Sequence, residues 1–399
     1  MMKKKIIIWT SIIVVLLITT ALLYCFLSKR KIFSFWFEWV WWGENLEGDD
    51  NLFEWMWWSV NLESDGNLHI LPSIDDEIFA DSMRCWTFQL VWNDMVNEIV
   101  KQNVVMNPQL QVVENLNKQT FSNKYLSPDS YYTKFGLLTL DLKAEIEDGI
   151  KSKFNETSDI LDKLDWSNVP QSDSFYDWMD EKKYGFYAML KKIFNFENVF
   201  DELDKWKFND KYNNVEYFWI KWSSSSNLYK QVYVYYYNSE DDFAVALHTK
   251  EWEDIVLARW VGWDSFMNIY DNILKKWEKY SWKHYFTKYD YLKVPNLKVK
   301  TLTEFEELEN KSFLATDGDV CRIEKALQTI EFELNKSWWY IKSEAFIGMA
   351  KTTSVASVPV EIEYRYFYFD KPFVMFWKES NKDLPYFAAQ ISDITLFQE

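Results

Sequence analysis

KALQTIEFE (Lys325–Glu333) and VEIEYRYFYFDKPFVMFW (Val360–Trp377) decide how this chain is read. The first run alternates apolar and polar residues, the period of a half-buried strand. The second is dense in aromatic and β-branched residues, as is PYFAAQI (Pro385–Ile391), and both predict further strands. Between them lies Leu334–Pro359, whose later part, KSEAFIGMAKTTSVASV, is mostly small and polar. Such a segment buries little on its own and is too long for a hairpin turn. Connections of this length are mostly functional or disordered.

This arrangement resembles the C-terminal third of the serpins. Lys325, Ala326, Thr329 and Ile330 match that family's strand leading into its reactive loop. Glu344, Ala345, Ala350, Thr352, Thr353, Ser354, Ala356 and Ser357 look like the loop itself. Asp370, Lys371, Pro372, Phe373, Val374 and Phe376 match the strand after the loop, and Pro385, Tyr386 and Phe387 look like the last strand. Upstream, Lys293–Val299 is similar to a further strand in which Pro295 sits near the start. The resemblance implies an α+β, serpin-like fold. It would have a helix-rich N-terminal half, multi-stranded mixed and antiparallel sheets, and an exposed C-terminal loop. It also implies a target protease as partner, with the cut loop inserting into a sheet as a new strand. Phe346, Ile347 and Met349 are large for that insertion, and the family's glycine after its hinge glutamate is missing. A second reading uses the same fold for surface binding or scaffolding without inhibition.

The chain has 399 residues, 48% of them hydrophobic, enough for one large domain or two smaller ones without disulfide support. A net charge of −17 argues against nucleic acid as a partner. Of the three cysteines, Cys25 lies in an N-terminal apolar run. Cys85 and Cys321 either pair, outside the cytoplasm, or stay as buried thiols.

Tryptophan and glycine are both far from ordinary. The chain has 23 Trp and 9 Gly, where a typical chain of this length carries about 28 Gly. Many Trp sit where a turn would favour Gly: Trp206, Trp252, Trp277, Trp282, Trp338 and Trp339. Positions with φ above zero accept Gly freely and Trp at a cost. The pattern points to UGA codons translated as Trp but read as Gly in the source cell, as in some bacterial lineages. Trp92, Trp166 and Trp178 fall on apolar helical positions and read as genuine Trp.

Three segments follow in order. Residues 1–31 read as a signal anchor. Lys3, Lys4 and Lys5 precede a run without charge from Ile6 to Leu27, long enough to cross a bilayer as a helix. Lys29, Arg30 and Lys31 follow, so the charge flanks are nearly balanced and do not set the orientation. A cleaved signal peptide is the rival reading; the signal anchor is expected to leave the globular part outside the cytoplasm. Residues 32–73 form an acidic linker, aromatic if its Trp are real and flexible if they are Gly. Residues 74–399 are the globular domain.

Within it, Arg84–Lys101 carries a helical apolar stripe. Further helices are expected at Leu142–Phe154, Asp159–Trp166, Lys183–Phe194, Asp264–Lys276 and Thr303–Asn310. Strands are expected at Val215–Lys221, Gln231–Tyr237, Asp242–Thr249 and Asp254–Arg259. Catalytic signatures are missing from the sequence. His69, His248 and His284 lack partners at metal-ligand spacing, and there is no nucleophile elbow, phosphate-binding Gly loop or Cys-x-x-Cys. No enzyme activity, cofactor or metal is expected. The implied partners are a protease and, through the N-terminal run, a membrane.

Overall fold

The computed structural model describes residues 66–73, 76, 78, 80–156, 161–163, 165–259, 264–316, 318–335 and 363–398. The chain divides into two units, Met1–Val60 and Asn61–Glu399, and all described residues belong to the second. The apolar run Ile6–Leu27 lies outside the described residues. Among those that are described, no helix is long and apolar enough to cross a membrane.

The architecture is α+β, with mixed sheets. The strands are β1 (His69–Leu71), β2 (Ser82–Cys85), β3 (Tyr131–Leu137), β4 (Glu181–Ile193), β5 (Asp201–Phe208), β6 (Tyr212–Ile220), β7 (Val232–Ser239), β8 (Asp242–His248), β9 (Glu253–Ala258), β10 (Asp290–Pro295), β11 (Leu297–Glu304), β12 (Lys311–Leu314), β13 (Val320–Leu334), β14 (Arg365–Tyr368), β15 (Phe373–Glu379) and β16 (Phe387–Ile391). The main helices are α1 (Thr87–Met95), α2 (Gln111–Asn117), α3 (Leu140–Phe154) and α4 (Phe266–Lys279). One sheet runs β1-β2-β16-β15-β9-β8-β7, a second β14-β10-β6-β5, and a third β11-β13-β4-β3 with β12 against β13.

The seven-stranded sheet forms where its sequence is apolar on both faces. Phe243, Val245 and Leu247 of β8 share one face and Ala244 and Ala246 the other, and all five are buried. Trp377 of β15 shows how tightly this core is built. Its ring stacks on Phe387 at 3.6 Å between centroids, with Phe194 and Phe332 edge-on at 4.6 and 4.7 Å.

The third sheet is a sandwich filling between two helical layers. Tyr184, Phe186 and Ala188 of β4 face a cluster with Phe88, Val91, Trp92 and Met95 of α1 and Val112, Val113 and Leu116 of α2. Tyr187 and Met189 point the opposite way, against Leu142, Ile146 and Ile150 of α3. Two side-chain devices set the ends of α3. Thr139 Oγ1 accepts from Leu142 N at 3.0 Å, and Asn155, at φ +51°, closes the helix after Lys151 and Lys153.

Several expectations are corrected. Lys183–Phe194 is strand β4, not helix. Buried on both faces, it shows no alternation, and its length imitates a helix. Thr303–Asn310 is the end of β11 and a turn. The aromatic run Val360–Trp377 holds two strands in different sheets, separated at Phe369–Pro372. Strands β3 and β5 were not expected. Of the two readings of Cys85 and Cys321, the structure has buried thiols that are not bonded to each other.

The tryptophans divide. Trp86, Trp92 and Trp377 are fully buried. Trp252 sits in the β8–β9 turn at φ +62° and is 81% exposed, the backbone shape that favours glycine. Trp206 lies within β5 and Trp277 within α4, not in turns. Trp178, read as an apolar helical position, is 91% exposed.

Candidate functional site

The strand that leads into the long connection is β13, and its neighbour in the sheet decides what that connection can do. β13 pairs with β4 in parallel from Val320↔Glu181 to Glu333↔Ile193, interrupted by a register shift between Ile323 and Lys325. On its other side β13 is antiparallel to β11, and β4 is antiparallel to β3. The middle of this sheet is therefore a parallel seam flanked by antiparallel pairs. Parallel pairing is slightly the weaker of the two per residue.

Polar side chains line the seam. On the α3 side, Tyr187 donates its hydroxyl to Thr329 Oγ1 at 3.2 Å across the seam. Burial pushes the Tyr187 phenol up to about 12, so it stays a donor. On the opposite side Gln328, fully buried, donates from Nε2 to Cys85 O at 3.1 Å and to Thr87 Oγ1 at 2.9 Å. The Cys85 thiol is pushed up to about 11 by burial, which keeps it protonated. Towards the two ends of the seam, Lys183 pairs with Glu324 at 3.0 Å and Lys191 with Glu331 at 3.4 Å. Helix α3 covers this region closely. A Cβ at Gly185 would stand 3.2 Å from Leu142 Cδ2 of α3, and one at Gly149 of α3 would enter the Tyr132 ring at 2.3 Å.

The carboxyl end of β4 is tied to the seven-stranded sheet. Lys192 Nζ lies 2.5 Å from Glu253 Oε1 and donates to Ser130 Oγ at 2.7 Å. Tyr386 donates its hydroxyl to the same Glu253 oxygen at 3.1 Å. Burial raises the Glu253 carboxyl above the usual range, against the opposing pull of Lys192.

At the far end of the connection a buried ion pair holds the start of β14. Arg365, the first residue of β14, is buried against Asp290 of β10, its register partner. Its Nε donates to Asp290 Oδ1 at 2.8 Å and its Nη2 to Oδ2 at 2.9 Å. The remaining guanidinium protons reach Tyr280 Oη at 3.1 Å, Lys283 O at 2.9 Å and Tyr285 O at 3.1 Å. Such a bidentate, fully bonded arginine is the form in which a buried charge is tolerated. Nearby, Lys293 Nζ meets Asp370 Oδ2 at 2.6 Å and stands over the Tyr368 ring at 4.4 Å.

The loop residues expected from sequence, Glu344, Ala345, Ala350, Thr352, Thr353, Ser354, Ala356 and Ser357, lie outside the described residues. So do Phe346, Trp338 and Trp339. Lys325, Ala326, Thr329 and Ile330 are placed on β13 as expected, with Ala326 and Ile330 fully buried and Lys325 Nζ 2.7 Å from Glu304 Oε2. Asp370 and Pro372 form the corner between β14 and β15, and Phe373 opens β15. Arg365, Asp290, Gln328, Lys192 and Glu253 were not singled out from the sequence. Each is one polar residue within or beside an apolar strand run, and its partner is distant along the chain. Among the described residues no nucleophile–base pair is assembled around the histidines. His248 Nδ1 and Ser380 Oγ both bond the same Asp254 oxygen, at 2.7 and 2.6 Å, so the serine is paired to the carboxylate and not to the imidazole. Among the described residues no group of His, Cys, Asp and Glu could hold a metal ion.

No protein-family model matches this chain, and neither does any curated protein sequence. Solved structures similar to it include Serpin48, a highly specific serpin of the insect Tenebrio molitor, at 10% identity and TM-score 0.43, over 79% of this chain and 92% of that one. Uncleaved ovalbumin is similar at 10% identity and TM-score 0.44, over 80% and 93% of the two chains. Maspin is similar at 10% identity and TM-score 0.42, over 66% and 76%.

Proposed function

We propose that this chain is a serpin-like protein, tethered to a membrane by its N-terminal run, whose β13–β14 connection is bait for a protease. The parallel β4–β13 seam supports this reading. A segment that follows β13, once cut, can turn back and enter between β13 and β4. It would be antiparallel to both, so one parallel pairing is replaced by two antiparallel ones. In an inhibitor the protease is still acylated at that moment and is carried along with the loop.

Entry has a structural cost. The Tyr187–Thr329 bond must break and α3 must lift from the seam. Both faces of the sheet are filled, so incoming side chains must be small. Ala350, Thr352, Thr353, Ser354 and Ala356 meet that requirement, while Phe346, Ile347 and Met349 do not. If Trp338 and Trp339 are glycines, the hinge starts at Glu333 and the loop is longer. The test is to mix the chain with a panel of serine and cysteine proteases and look for a complex that survives boiling in detergent. Such a complex supports inhibition.

A second reading keeps the fold without the insertion, as a surface binding or scaffolding domain. The large residues at 346, 347 and 349 favour it. In that case every protease nicks the loop and departs, and no covalent complex forms.

A further inference from the structure

The stretch KKWEKYSWKHYFTK (Lys275–Lys288) carries five lysines and one glutamate in a chain whose net charge is −17. Lys276 is engaged, with Nζ 2.6 Å from Asp242 Oδ1. Lys275, Lys279, Lys283 and Lys288 are exposed, and none of them forms an ion pair among the described residues. The first two lie one turn apart on α4, away from its buried residues Ile269 and Ile273. The negative end of the helix dipole accounts for a lysine in the last turn. It does not account for Lys283 and Lys288, which come after the helix ends.

The backbone that presents these lysines is fixed. Val234 N donates to His284 O at 2.8 Å, and His284 Nδ1 lies 2.8 Å from Val234 O. The His284 ring stacks on Tyr233 at 5.5 Å. Arg365 holds the carbonyls of Lys283 and Tyr285 from below. Between the lysines Tyr285 is 62% exposed, an aromatic ring with a polar tip.

We propose that Lys275, Lys279, Lys283 and Lys288, with Tyr285 among them, form a docking surface for an anionic lipid bilayer. The rest of the chain is strongly acidic and is repelled by such a surface, so a local cationic patch would set which side approaches. Exposed tyrosine interleaved with lysine suits the headgroup layer, where one end of the ring is apolar and the other wet. Trp277 and Trp282 would add to this if their codons specify Trp, but the lysines and Tyr285 suffice. The inference takes from the tethered reading only that a bilayer is near.

The full chain is reconstituted with phosphatidylcholine vesicles, with and without phosphatidylglycerol, and amide exchange across 275–288 is compared. Flotation with neutral vesicles reads the N-terminal run separately from the patch. We expect slowed exchange only with phosphatidylglycerol, reversed at about 0.5 M salt where screening is short-ranged. Each lysine near an anionic bilayer favours docking about fivefold, so K275Q/K279Q/K283Q/K288Q lowers the docking equilibrium several hundredfold. If that variant loses its thermal transition, K283Q/K288Q and the salt series on the unaltered chain decide. Equal exchange with both lipids, protection that survives the substitutions, or protection by dextran sulfate without protection by phosphatidylglycerol would overturn the proposal. Failure to float, with phosphatidylglycerol-dependent protection retained, would sink the tether and leave the docking surface standing.

Discussion

Replacing Arg365 by Leu removes the buried charge that ties the start of β14 to β10. Arg365 is buried, and so is Asp290, its bidentate partner. The substitution strands a carboxylate and leaves the Lys283 and Tyr285 carbonyls without their guanidinium donors. Breaking a buried pair by removing one partner costs about 3–5 kcal/mol. Leucine returns part of that through apolar contact with Phe367, over whose ring the guanidinium carbon now stands at 5.4 Å. The expected net loss is about 3 kcal/mol. Urea unfolding, followed by Trp fluorescence, measures it as a lower midpoint at unchanged slope. Asp290→Asn should cost less, because Asn still accepts one of the arginine's bonds and Thr287 N keeps a partner at this side chain. The double variant should fall short of the sum of the two by more than 1 kcal/mol, since the sites are coupled. Additive losses, or a loss under about 1 kcal/mol for Arg365→Leu, would refute the assignment of Arg365 as the anchor of β14.

Trp252→Gly should raise stability by about 1 kcal/mol, the relief of a left-handed backbone less the entropy of a glycine in the unfolded chain. A drop in the urea midpoint would show that the turn does not strain the residue. Reading the Trp252 codon gives the same answer independently, since UGA is expected there. Trp377→Ala should cost about 3–5 kcal/mol, because the rings of Phe194, Phe332, Tyr386 and Phe387 pack against it, and a near-neutral midpoint contradicts that packing. The acid limb of stability should depend on Asp241. The Arg259 guanidinium, 2.6 Å away, holds this carboxyl below its usual 3.8, against a smaller opposing effect of burial. A carboxyl with a lowered folded value stabilises above its unfolded value and loses that contribution as pH falls below 3.8 through the lowered one. Arg259→Met should therefore flatten the stability profile in that window. Glu253 has the opposite sign. Its raised carboxyl stabilises at low pH, and this is lost as pH climbs from the ordinary 4.5 through the raised value. Glu253→Gln should remove that loss, and an unchanged profile would deny the burial effect.

Parts of this architecture are legible in the sequence for physical reasons. Asp242–His248 alternates large and small apolar residues with period two, Phe373–Glu379 is dense in aromatic residues, and both are short. Leu140–Phe154 shows its period because one face of α3 meets solvent. β4 hides its identity because both of its faces are covered, by α1 and α2 on one side and α3 on the other. Tyr184–Leu190 has no polar face and so no alternation, and the thirteen-residue strand around it has the length of a helix. Gly185 was the available signal, since a glycine inside a strand marks a close approach. The strain at Trp252 could be foreseen from turn chemistry alone. The polar contacts could not. Arg365–Asp290 and Lys192–Glu253 join residues far apart in sequence, and in a chain with 61 acidic residues no carboxylate stands out before the strands are in register.

The central claim is that the parallel β4–β13 seam can accept a strand. The direct measurement is the melting temperature of the full chain before and after a single proteolytic cut between residues 344 and 357. Insertion that gains on the order of ten net hydrogen bonds, each contributing about 1 kcal/mol, should raise melting by roughly 10–15 °C. An unchanged melting temperature with the cut complete would contradict insertion, and with it the inhibitory reading.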